Sequence, residues 1–235
     1  MKREAMNLLV DKFGQKYSDI LGINLRTKDD GEIFKWFLAS VLFGAPITES
    51  SVIRTYRCFE SHRVLTPEKI LETGWQGLVD ILDEGSYTRY DFKTSDKLLE
   101  VMGNLLTRYM GSLNLIHGQA LNQSDLEKRL MALGKGVGPV TVSIFLRELR
   151  GLWEKADSKP TPLVILAAKN LGIVKEESPE KTLEALKEFW RKNRVPQKTF
   201  VNFETALLRL GKDFCRKGKC KQCVLKHYCL TATWA

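Results

Sequence analysis

The chain has 235 residues, 43% of them hydrophobic, and carries 37 Lys plus Arg against 28 Asp plus Glu, a formal charge of +9. Such an apolar content supports a buried core and excludes wholesale disorder, and the absence of any run of about 18 apolar residues excludes an apolar helical membrane span. The basic surplus suits a polyanionic partner, whose phosphates release condensed counterions when neutralised, as well as it suits a merely solvated surface.

From the N-terminus, "MKREAMNLLVDKFGQKY" is charged and mixed, with no apolar stretch of signal type. The expectation is an intracellular protein, cytoplasmic or, in a prokaryote, nucleoid-associated. Helical periodicity then dominates. "IFKWFLASVLFG", "SDKLLEVMGNLLTRYM", "TVSIFLRELRGLW", "PLVILAAKNLG", "KTLEALKEFWRKN" and "FVNFETALLRLGKDF" repeat apolar residues at three- and four-residue intervals. Thr66-Pro67, Thr161-Pro162 and Ser178-Pro179 have the order of an N-cap followed by proline at the first helical position. Cys58, in "RTYRCFESHR", reads as helix packing, and "DEGSYTRYDFKTS" (83–95) as a polar, aromatic loop between two helices. No stretch alternates long enough to make a sheet, so the fold class is all-α.

Residues 133–142 read "LGKGVGPVTV". Gly136 and Gly138 around one apolar Val137 suit a tight turn between two helices, since glycine accepts positive φ and close approach of another backbone. The second helix then starts with its amides exposed, a seat for one DNA phosphate. A plain turn is the bland alternative.

Near the C-terminus, "CRKGKCKQCVLKHYC" places Cys215, Cys220, Cys223 and Cys229 at gaps of four, two and five residues. A reducing compartment disfavours disulfides. The two-residue gap lets Cys220 and Cys223 chelate one centre and the others close a four-thiolate site, for which zinc and iron are both candidates. His227 reads as a surface residue.

These motifs together resemble the endonuclease III-like family of DNA glycosylases, the helix-hairpin-helix superfamily with a C-terminal cluster loop. "FKWFLASVLFGAPITESSV" is similar to its early helix and turn, "LGKGVGPVTVSIFLREL" to its hairpin, and "LLRLGKDFC" with the following cysteines to its approach to a four-iron, four-sulfur cluster. The first cysteine gap is shorter than the family's. The resemblance implies a helix-hairpin-helix lobe of six helices at 28–150 and a cluster lobe from 1–27 and 151–235, with double-stranded DNA in a cleft. It implies a 4Fe-4S cofactor on the four cysteines, zinc being the alternative, and a monomer.

It further implies DNA contacts at Lys135, Gly136, Val137, Gly138 and Thr141, and at Arg216, Lys217, Lys219 and Lys221 of the cluster loop. Bifunctional members carry a lysine after the hairpin that attacks the sugar. Val140 stands there, which points to hydrolysis without strand cleavage. Counting from the hairpin reaches Ser158, beside Asp157, the expected catalytic carboxylate; counting back from "LAAKNLG" reaches Thr161, which has no carboxylate. Asp83, Glu84 or Asp91 is a substitute. Tyr87, Arg89 and Tyr90 are expected to wedge into the duplex or line the base pocket, against the alternative of core packing, with Pro46 on the opposite side. The expected function is a monofunctional DNA glycosylase of base-excision repair; the alternative is an inactive iron–sulfur DNA-binding protein of the same fold.

Overall fold

The apolar stretch at 33–43 becomes the helix around which one of two compact units is built. The computed structural model describes residues 2–175 and 178–231. Met1, Glu176, Glu177 and residues 232–235, all within the expected cluster lobe, lie outside that description. The chain divides into residues 18–158 and residues 1–17 with 159–235. It is all-α: among the described residues no strand occurs, only an isolated bridge between Arg150 and Trp153. No described helix is long and apolar enough to cross a membrane.

The helices begin with α1 (Arg3–Phe13), α2 (Tyr17–Leu21) and α3 (Asp30–Phe43). Asp29 caps α3, its carboxylate accepting from the Gly31 and Glu32 amides. Then come α4 (Glu49–Ser61) and α5 (Pro67–Glu84), each opened by a threonine whose hydroxyl accepts the N3 amide. The pair α6 (Asp91–Tyr109) and α7 (Leu113–Gln119) precedes α8 (Gln123–Met131) and α9 (Pro139–Leu149). Last are α10 (Pro162–Asn170), α11 (Pro179–Lys192) and α12 (Phe200–Leu210).

In the 18–158 unit, nine of the 14 residues of α3 are buried, so this helix is covered nearly all round rather than amphipathic. Helices α4, α7 and α9 pack on it. Trp36 donates its indole N–H to the Phe145 carbonyl at 3.0 Å, and the Phe37 and Phe145 rings meet edge-on at 5.1 Å. Each such fully buried side chain contributes about 1.5–3 kcal/mol. The segment 83–95 is mostly helical: α5 extends through Glu84 and α6 starts at Asp91, so the connection is only 85–90. No proline interrupts it; Asp83, Glu84 and Lys93 fall on exposed helix faces, while Thr94 and Ser95 are buried. Helix α5 kinks at Gly74 (φ 67°), a break that apolar periodicity does not reveal.

In the other unit, α1, α10, α11 and α12 share a core of Met6, Leu9, Val164, Ala167, Trp190, Phe203 and Leu207, among others. The Trp190 and Phe203 rings stack at 5.6 Å. Cys223 and Leu225 belong to that same core, so the cysteine loop is anchored in it.

Candidate nucleic-acid interface and cysteine loop

The hairpin between α8 and α9 is built around one left-handed residue. Gly136 has φ +85°, a conformation costly for any residue with a Cβ. Val137 is buried and holds the tip inward, its amide bonded to the Gly134 carbonyl at 3.2 Å. Gly138 is the N-cap of α9, with no side-chain capping bond, and Pro139 follows at the first turn. The early amides of α9 therefore lack a capping side chain, the condition for an anion seat. Lys135 is exposed, and Val140, where the resemblance to that family places a lysine, is 64% exposed.

A polar stripe on α6, not expected from the sequence, runs down this hairpin. Arg108 donates to the Ala132 carbonyl (2.8 Å) and Asn104 to the Leu133 carbonyl (2.9 Å), satisfying the carbonyls that follow α8. Glu100 accepts the Lys135 amide at 3.2 Å. Lys97 comes next: a Cβ on Gly136 would stand 2.6 Å from its Cε and 3.3 Å from its Nζ. Burial pushes the Lys97 ammonium below the usual lysine range. The signal was present as polar residues at spacings of three and four on one face of "KLLEVMGNLLTR".

Two further segments adjoin the hairpin. The turn after α3 touches the start of α9, since a Cβ on Gly44 would come within 2.3 Å of the Thr141 hydroxyl. Thr141 is consequently buried, while Pro46 in the same turn is exposed. The 85–90 connection reaches the last turn of α3, just before that turn, through Tyr87, whose hydroxyl donates to the Leu42 carbonyl at 2.6 Å. Tyr87 is 0% exposed and belongs to the core. This corrects its assignment as a wedge, because a ring with no exposed surface enters a duplex only by unpacking. Tyr90 is half-buried against it, edge-on at 6.3 Å, and exposed Arg89 lies over the Tyr90 ring at 5.6 Å. The hairpin, the Pro46 turn and the Arg89–Tyr90 pair are thus linked through direct contacts within the 18–158 unit.

The carboxylates differ in their surroundings. Asp157 is ion-paired with Arg150, whose side chain is 8% exposed against 38% for Asp157. The same guanidinium donates to the Ser158 carbonyl at 2.7 Å, so Asp157 is held on a buried cation. Ser158 itself is buried. Thr161 occupies the N-cap position of α10, yet makes no side-chain capping bond. Asp83 is raised by desolvation, then by its hydrogen bond to Asp91 and that neighbour's charge. Glu84 is engaged by His62 at 2.7 Å and held low by it.

The cysteine loop leaves α12 through a π-helical turn, Gly211–Cys215. Burial pushes the Cys215 thiol up; the Asn170 side chain, bonded to it, lowers it, and Cys223, Cys229 and Cys220 raise it further. Cys223 is raised by burial and by Cys229 and Cys220, and is opposed by the Leu225 amide. All four sulfurs are free thiols within electrostatic reach of one another. Among the described residues no three His, Cys, Asp or Glu side chains close on a point able to hold one ion. A mononuclear zinc site brings each sulfur to about 2.3 Å from one metal, whereas an iron–sulfur cluster takes one thiolate per iron. Cys215 and Cys223 are desolvated and each accepts a hydrogen bond, a setting that suits thiolates on iron and on zinc alike. Arg216, Lys217, Lys219 and Lys221 are all exposed on this loop, Lys217 lying 3.6 Å from Asp213. Cys58 is buried on α4, in the 18–158 unit.

No family model matches the chain, and no curated protein matches it.

Proposed function

We propose that the chain is a monofunctional DNA glycosylase of the endonuclease III-like kind, acting as a monomer on double-stranded DNA in base-excision repair. The observation that carries this reading is the linked group on the 18–158 unit: a glycine hairpin with uncapped amides, an exposed proline turn and an exposed arginine over a half-buried tyrosine. Amides of this kind seat a phosphate and set register, and exposed side chains beside them can fill the space that a flipped nucleotide leaves. Tyr90 and Arg89 take that role here, without Tyr87.

The chemistry follows from which side chains are present. The bond from sugar C1′ to the base nitrogen breaks with its electron pair leaving on the base. A water oxygen then bonds to C1′, and its proton passes to the base or to solvent. Positive charge develops on the sugar, and the carboxylate assigned to stabilise it is Asp157. Pairing with Arg150 keeps that carboxylate oriented. Val140 offers no amine at the hairpin, so no imine forms from that position and the strand stays intact. Cys215, Cys220, Cys223 and Cys229 would hold a 4Fe-4S cluster. When bound, the cluster supplies a rigid crosslink for the basic loop rather than a reacting atom. Arg216, Lys217, Lys219 and Lys221 then present charge to phosphates from a fixed backbone.

A second reading is favoured by one feature. Asp157 already has a buried cationic partner, and Thr161 stands at the N-cap of α10 where the alternative count places the family's carboxylate. An iron–sulfur DNA-binding protein without catalysis would look the same at both places. The two are separated by incubating the protein with a panel of lesion-bearing and mismatched duplexes and then heating in alkali. Strand breaks that appear only after alkali support the glycosylase, and Asp157→Asn should then remove them while leaving duplex binding intact. Breaks before alkali contradict the role given to Val140. Binding without any product on the whole panel favours the inactive protein.

A further inference from the structure

We infer that Lys97, on α6, is a phosphodiester-contacting residue of the glycine hairpin, supplying from a different helix a second cation beside Lys135 of the hairpin itself. This inference rests on the duplex-DNA reading above and adds a residue to it.

The stripe on α6 has a simple logic. Three of its members each meet a backbone group of the hairpin: Arg108 the Ala132 carbonyl, Asn104 the Leu133 carbonyl, Glu100 the Lys135 amide. Lys97, one turn further, meets Gly136, which has no side chain. Its Cδ, Cε and Nζ lie beside the glycine, at the exposed tip. The neighbouring tip residues Lys135 and Gly136 are exposed, so solvent or a ligand reaches this place.

Among the described residues no carboxylate lies within ion-pairing distance of Lys97. Glu100, the nearest acid along the helix face, is turned to the Lys135 amide. Desolvation is the only cause that moves the Lys97 ammonium, with no compensating charge. A half-buried cation without a counter-ion is costly for a fold to keep, and an anion brought by a ligand removes the cost. In a nucleic-acid protein that anion is a backbone phosphate. Covering a glycine would require only the apolar stem, so methionine would serve as well as lysine if packing were the whole role.

The experiment measures binding of the full chain to a labelled random-sequence duplex over a series of salt concentrations. Wild type is compared with Lys97→Met, which keeps the stem, with Lys97→Arg, which keeps the charge, and with Lys69→Met as a control. Lys69 is paired with Glu72 on α5. Loss of one phosphate contact should make the slope of log affinity against log salt shallower by about 0.9 for Lys97→Met. Lys97→Arg should restore the wild-type slope, and Lys69→Met should leave it unchanged. If Lys97→Met does not fold, Lys97→Gln replaces it under the same criterion. A wild-type slope in the folded uncharged variant, Lys97→Met or Lys97→Gln, overturns the inference while leaving DNA binding in place. Failure of the wild type to bind duplex overturns the DNA reading, and Lys97 with it.

Discussion

Tyr87 shows how one hydrogen bond decides a role. The ring is buried and its hydroxyl reaches the end of α3, so it joins the 85–90 connection to the core. Tyr87→Phe removes that bond and leaves the Leu42 carbonyl with one partner fewer. The expected loss is about 1 kcal/mol of stability in denaturant unfolding, with duplex affinity unchanged. A fall in affinity at unchanged stability would return the ring to the DNA surface. Glu180 offers a titration test. Its carboxyl is held down to about 2 by Lys159, by the amide at the start of α11 and by Ser178. Because the folded value lies below the ordinary carboxylate range, any stabilisation is present above that range and is lost as pH falls through it towards 2. An NMR titration should place its midpoint well below that of the exposed glutamates. An ordinary midpoint would mean that the Lys159 pair does not form in solution.

Among the elements, the hairpin carries the sharpest test. Gly136 has positive φ, and a Cβ there would displace the end of the Lys97 side chain. Gly136→Ala should cost about 1–2 kcal/mol from backbone strain alone and weaken duplex binding further by moving the tip. Stable protein with unchanged binding would remove the hairpin from the interface. The helices on either side were legible because their apolar residues recur at helical spacing. The turn was legible because two glycines flank a single valine. The stripe on α6 was not, although its spacing is regular. Lys97, Glu100, Asn104 and Arg108 look like an ordinary solvated face until a loop is laid along them. Likewise α3 read as a helix, but its position as the covered centre of a unit depends on α4, α7 and α9, which are distant in sequence. The 83–95 segment read as a loop because its composition is polar, whereas its helical ends are stabilised by packing of α5 on α6.

For the whole molecule, the helical class was legible from periodicity, and the basic charge with the clustered cysteines motivates the proposal of a nucleic-acid partner. The position of the carboxylate proposed for catalysis was not legible. Asp157 sits in an irregular segment, where counting from either side slips by residues, and its pairing with Arg150 depends on the path of that segment after α9. The thiols were legible from spacing, but their anchoring through Cys223 and Leu225 and the bond from Asn170 were not. Protein purified under anaerobic conditions should contain about four iron and four sulfide per chain. Stoichiometric zinc with no sulfide would replace the cluster with the alternative metal. The most direct measurement is mass-spectrometric detection of free base from the duplex panel, run beside a gel that reports strand integrity. A monofunctional glycosylase releases one base from at least one duplex while its strands remain whole until alkali. Strands cut without alkali, or no free base from any duplex that the protein binds, would contradict it.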